Sequence, residues 1–100
     1  MNTVKVSIKD DNLIISGELT QDTVMSALAQ CQKLLPRGKE IEVNLSAVIR
    51  CDSASLAFLT ALIRESNAKQ SKLRFTNLPK QMLQIGRVSG LDSILPLAEL

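Results

Sequence analysis

A serine at the point where a strand hands over to a helix has three chemical uses, and Asp52-Ser53 stands at such a point. The N-terminus of a helix leaves N–H groups without intrahelical partners and carries about half a positive charge. A serine there can cap the helix, hydrogen-bond a partner surface, or carry a phosphate that the helix end tolerates. Asp52 can take the cap in its place. Cys51 adds a thiol beside the junction, with no His or second nearby thiol to activate it. The chain contains no His, which removes any His-based triad and any imidazole base working near neutral pH. It also contains no G-x-G-x-x-G, P-loop or G-x-S-x-G pattern. The chemistry expected at Asp52-Ser53 is therefore recognition or modification, not catalysis.

The flanking residues must position this junction. Ile41, Val43 and Leu45 alternate with polar neighbours and predict a strand, followed by a short connection over Ser46 to Cys51. A helix is predicted from about Ser53 to Asn67. Upstream, Val4, Val6 and Ile8 predict a first strand. Asp10-Asp11-Asn12 predicts a turn, and Leu13 to Ser16 a second strand, together a hairpin. Thr20 is the predicted N-cap of the next helix, with Asp22 in its first turn. Val24, Leu28, Cys31 and Leu35 form the apolar stripe of that helix, and Pro36-Arg37-Gly38 stops it. Leu73 to Thr76 is a further strand. Pro79 opens a third helix that Gly90 ends, and Ser93 to Leu97 is a last helical piece. Strands separated by helices predict an α/β domain spanning residues 1–100, with a central mixed, mostly parallel sheet, an N-terminal hairpin at one edge and helices packed on it.

Composition excludes several partners. Twelve basic and ten acidic residues leave a net charge of only +2, and two Phe are the only aromatics. Neither the electrostatic footprint nor the stacking platform of a nucleic-acid binder is present. The longest uncharged run, Ser53 to Ile63, is eleven residues, where a membrane span needs about twenty. The N-terminus lacks the apolar core of a secretory signal, so a cytoplasmic location is expected, with Cys31 and Cys51 as reduced thiols. Cys31, on an apolar stripe, is expected in the core. Two Cys and no His are too few soft ligands for structural zinc, and no cofactor or metal is expected.

The helix after Asp52 has an unusual outer face. Leu56, Leu59, Leu62 and Ile63 cluster at helical spacing on the side expected to meet the sheet. Ser53, Ala57, Thr60 and Arg64 form the opposite stripe, flanked by Ala54 and Ala61. An ordinary exposed face would be rich in Lys and Glu. Small side chains let another surface approach closely, and Arg64 can donate several charge-assisted bonds. Asp52, Ser53, Ala54, Ala57, Thr60 and Arg64 are the predicted partner-binding residues.

The run Leu45-Ser46, then Asp52-Ser53-Ala54-Ser55-Leu56-Ala57, resembles the signature of the STAS domain family, in which a strand and an Asp-Ser/Thr-small-Gly-Leu element open a helix. Gly17-Glu18-Leu19 with Gln21-Asp22, and the tail Ile85 to Asp92, are similar to the corresponding family segments. Ser55 departs from the family's usual Gly. The resemblance implies a STAS-like fold. Within the family it is nearest to the stand-alone STAS subunit of Mla-type phospholipid-transport ABC systems. That implies a non-enzymatic regulatory or assembly subunit bound to the cytoplasmic ATPase, and through it to the permease, peripheral to the inner membrane. The alternative it implies is an anti-sigma-factor antagonist, phosphorylated on Ser53 by an anti-sigma-factor kinase.

Overall fold

The computed structural model describes residues 3–89, with side chains described through Gln84. The chain runs β1 (Val4–Lys9), β2 (Asn12–Leu19), α1 (Val24–Leu34), β3 (Glu40–Cys51), α2 (Ala54–Ala68), β4 (Lys72–Thr76) and α3 (Lys80–Ser89). The strands form one sheet in the order β1-β2-β3-β4. β1 and β2 are antiparallel, and β2–β3 and β3–β4 are parallel. This is the mixed sheet with an N-terminal hairpin that the alternation of elements predicts. The predicted stop at Gly90 and the last piece at Ser93 to Leu97 lie outside the described residues.

One face of the sheet builds the core. Val6, Leu13, Ile15, Ile41, Val43, Leu45, Leu73 and Phe75 turn toward α1 and α2 and are buried, while Lys5, Ser7, Lys9, Lys72 and Arg74 alternate with them in the open. α1 supplies Ala27 and Cys31 to this core, and α2 supplies Leu56, Phe58, Leu59 and Leu62. Ile63, predicted as part of the sheet-facing side, is only partly buried. The C-terminal ends of α1 and α2 are tied by polar contacts. Lys69 Nζ donates to the carbonyls of Gln32 and Leu35 at 2.6 and 2.9 Å. It thereby fills acceptors that α1 leaves open, with the charge sign its macrodipole favours.

β3 corrects the predicted connection at Ser46 to Cys51, which is strand throughout. The buried positions along β3 are Ile41, Val43, Leu45, Val48 and Cys51. They repeat every second residue up to Leu45 and every third residue afterwards. Two register shifts against β2 cause this, between Ile14/Ser16 and between Gly17/Glu18. Each inserts an extra residue on the β3 side, breaking the period-two pattern without ending the pairing. Ile49, in the second shift, is left 79% exposed.

β2 likewise continues past Ser16 to Leu19, through Gly17. Gly17 has φ +100, and a Cβ there would run into the Thr3 carbonyl oxygen, which accepts from the Glu18 N–H at 2.9 Å. Only glycine fits this conformation and this close approach. Gly17→Ala is expected to lower the unfolding free energy by about 1–3 kcal/mol. A urea transition unchanged from wild type would show that the first strand can move away at no cost.

The start of α1 also differs from prediction. Thr20 is not its cap; the helix begins at Val24, after a turn over Thr20 to Thr23. The Thr20 carbonyl accepts from the N–H groups of Thr23 and Val24, at 2.9 and 3.0 Å. The Thr23 hydroxyl accepts from the Thr20 N–H at 2.9 Å and donates to the Glu18 carbonyl at 2.6 Å. Thr23 thus organises the turn, and Asp22 lies in it, ahead of the first helical turn.

Candidate docking site

α2 starts at Ala54 because Asp52 supplies its cap. Asp52 Oδ1 accepts from the Ala54 N–H at 2.9 Å. The Asp52 carbonyl accepts from the Ser55 N–H at 3.0 Å and from Ser55 Oγ at 2.7 Å. Ser53 follows with helical backbone angles, φ −61 and ψ −22, and makes no side-chain cap bond. Its hydroxyl is exposed and has no hydrogen-bond partner among the described residues. The capping and binding roles that the sequence offers to one residue are therefore divided between two. Asp52 holds the helix, and Ser53 is presented.

The predicted stripe stays together on one side of α2. Ser53, Ala57 and Arg64 are exposed, and Ala54, Thr60 and Ala61 are partly so. Leu56, Phe58, Leu59 and Leu62 lie on the opposite, buried side. Thr60 Oγ1 donates to the Leu56 carbonyl at 3.1 Å, a bond within α2 itself. Arg64 has no ion pair or side-chain hydrogen bond among the described residues, which leaves its guanidinium donors uncommitted to any of them. The face is narrow, weakly polar, and ends in one uncommitted cation.

Ser55, where the family's usual residue is Gly, is buried and turned inward. Its hydroxyl is satisfied by the Asp52 carbonyl, so the substitution changes the interior of the junction and leaves the outer stripe untouched. Cys51 is also buried; burial is the largest influence raising its thiol pKa, and a bond from Ser55 partly opposes this. Its Sγ lies 3.8 Å from Gln81 Oε1 on α3. Burial pushes the Cys31 thiol up to about 12, so it stays protonated at neutral pH in the core, as its stripe predicts. Among the described residues no cluster of His, Cys, Asp or Glu could hold a metal ion. No helix among them is long and apolar enough to cross a membrane.

Two features at the start of α1 have no local sequence signal. Asp52 Oδ2 accepts from the Gln21 N–H at 3.1 Å, across 31 positions of chain. Met25, in the first turn of α1, is 76% exposed. The placement of Gln21-Asp22 in a family-like segment is the one hint that this turn belongs with the Asp-Ser junction.

A two-layer α/β fold with an Asp-Ser junction opening the central helix defines a class that comparison identifies. A family profile described as "Mlab, STAS domain" matches residues 3–97, and the chain belongs to the STAS domain family. Its fold is similar to an anti-sigma-factor antagonist from Mycobacterium paratuberculosis, at 21% identity and TM-score 0.69, covering 98% of this chain and 86% of the other. It is similar to a STAS domain protein from Planctomyces limnophilus, at 16% identity and TM-score 0.68, covering 94% and 87%. It is also similar to the Bacillus cell fate determinant SpoIIAA in its phosphorylated form, at 17% identity and TM-score 0.61, covering 97% and 92%. A sequence search of curated proteins returns no match.

Proposed function

We propose that this chain is a non-enzymatic regulatory or assembly subunit of a phospholipid-transporting ABC complex. It docks on the cytoplasmic ATPase through Asp52, Ser53, Ala54, Ala57, Thr60 and Arg64, and through the ATPase it associates with the permease at the inner membrane. The observation that carries this reading is the outer face of α2. There a hydroxyl and an Arg without partners among the described residues, with small side chains between them, stand where an idle helix would show Lys and Glu. The family profile's Mlab description directs the choice of partner. The mechanism is contact stabilisation: the Ser53 face fits a groove on the ATPase and favours its assembled form. In this reading the chain carries out no bond chemistry of its own and needs no cofactor.

The exposed, uncommitted hydroxyl of Ser53 favours a second reading, an anti-sigma-factor antagonist whose partner is a serine kinase. The described fold is shared with anti-sigma-factor antagonists, among them SpoIIAA, whose structure is also known in a phosphorylated form. In this reading, phosphate on Ser53 sits at the positive end of α2 and controls binding.

Co-expression with the chain's native gene neighbours, followed by affinity purification, tests the first reading. An ABC ATPase and its permease are expected to co-purify, and the isolated chain should show no ATP hydrolysis. Arg64→Ala removes charge-assisted donors and is expected to weaken the complex about tenfold or more. Thr60→Glu adds charge and bulk in the stripe and should also weaken it. Both should melt like wild type, because neither side chain ties α2 to another element. Wild-type binding by both variants would place the docking face elsewhere.

A further inference from the structure

Asp52 joins segments that are distant in sequence. Oδ1 accepts from the Ala54 N–H at 2.9 Å, at the start of α2. Oδ2 accepts from the Gln21 N–H at 3.1 Å, in the turn before α1. The Asp52 N–H donates to the Leu19 carbonyl at 3.3 Å, at the end of β2. One residue therefore fixes the end of a strand and the entry to both helices. Next in the chain is Ser53, exposed and uncommitted, and the clamped turn leads to the exposed Met25.

Both carboxylate oxygens of Asp52 are in use, and an ionised carboxylate can only accept. A negative group at Ser53 would stand one residue away. It would repel the Asp52 carboxylate and compete with it for the N–H groups at the start of α2. We propose that Asp52 is a positioning residue that couples Ser53 to the turn before α1. With Ser53 neutral, Asp52 clamps the two turns into one surface. With negative charge at Ser53, the carboxylate leaves the Gln21 N–H and the turn ahead of α1 is released. The proposal rests on the reading above for the importance of the Ser53 face. Its test needs only the isolated chain, so a failure to find an ATPase partner would leave the coupling to stand or fall by itself.

The experiment is heteronuclear NMR with amide hydrogen exchange on the full chain. The proteins are wild type, Ser53→Glu, Asp52→Ala, Asp52→Asn, and each Asp52 variant combined with Ser53→Glu. Two Asp52 backgrounds ensure a folded reference: Ala removes both acceptors, and Asn retains one. In wild type, Ser53→Glu is expected to shift the Gln21 amide resonance and speed its exchange at least about tenfold, the lower end for loss of one hydrogen bond to a charged group. In the Asp52 backgrounds the same substitution should leave Gln21 where the Asp52 change alone put it. A cap with no coupling role would alter Ala54 but leave the response of Gln21 to Ser53→Glu the same in every background. That result, or a Gln21 resonance unmoved by Ser53→Glu in wild type, would overturn the proposal.

Discussion

Leu59→Ala is expected to lower the unfolding free energy by about 2–5 kcal/mol. Leu59 is fully buried on α2, within a cluster that includes Leu45, Leu62 and Phe75. Truncation removes the transfer free energy of the lost carbons and leaves a cavity that a sheet on one side and a helix backbone on the other cannot close. A small domain has only about 5–15 kcal/mol of total stability, so this one change consumes a large share of it. The loss should appear as an earlier urea midpoint with an unchanged slope. A wild-type midpoint would mean that α2 does not pack through this face, and the outer stripe would lose its assignment with it.

Where two-fold or helical periodicity runs unbroken, the residues alone are sufficient to read the structure. Val4, Val6 and Ile8 alternate and form β1, and the turn at Asp10-Asp11 joins it to β2. The leucines at 56, 59 and 62 keep helical spacing and mark the buried side of α2, from which the exposed stripe follows as its complement. Legibility fails where pairing departs from regular geometry. The second half of β3 buries Val48 and Cys51 at three-residue spacing, which no strand template matches. The start of α1 is misplaced in the sequence reading because Thr20 suits a cap, whereas the bond from Thr23 Oγ1 to the Glu18 carbonyl, five residues back, folds Thr20 to Thr23 into a turn ahead of the helix. Ser55, a departure from the family pattern, is internal, since its position joins Leu59 and Leu62 on the buried side. Asp52 is legible as a possible cap; its bond to Gln21 is not, because it depends on β2 and β3 lying side by side.

Ser53→Glu is expected to fold and to fail at binding. Ser53 is exposed and makes no side-chain cap bond, so replacing it removes no contact of its own and at most loosens the one surface bond from Gln21 to Asp52. A negative group at a helix N-terminus is favourable by about 0.3–1 kcal/mol, which offsets repulsion from the neighbouring Asp52. An unpaired charge enclosed at a tight interface costs far more, about 2–5 kcal/mol. That corresponds to roughly a thirty- to four-thousand-fold loss of affinity. Ser53→Ala removes a hydrogen bond without adding charge, a loss of about tenfold at most. A phosphoswitch predicts a different pattern: Ser53→Ala binds at full strength at all times, and phosphate is found on Ser53 from cells.

The most direct measurement is a binding titration of the co-purified ABC ATPase with wild type, Ser53→Ala and Ser53→Glu, each checked by a melting curve. The account predicts three similar melting curves and affinities that fall in the order wild type, Ser53→Ala, Ser53→Glu, with the last lower by at least about thirtyfold. Wild-type affinity in a folded Ser53→Glu would contradict it, and would remove Ser53 from the docking face.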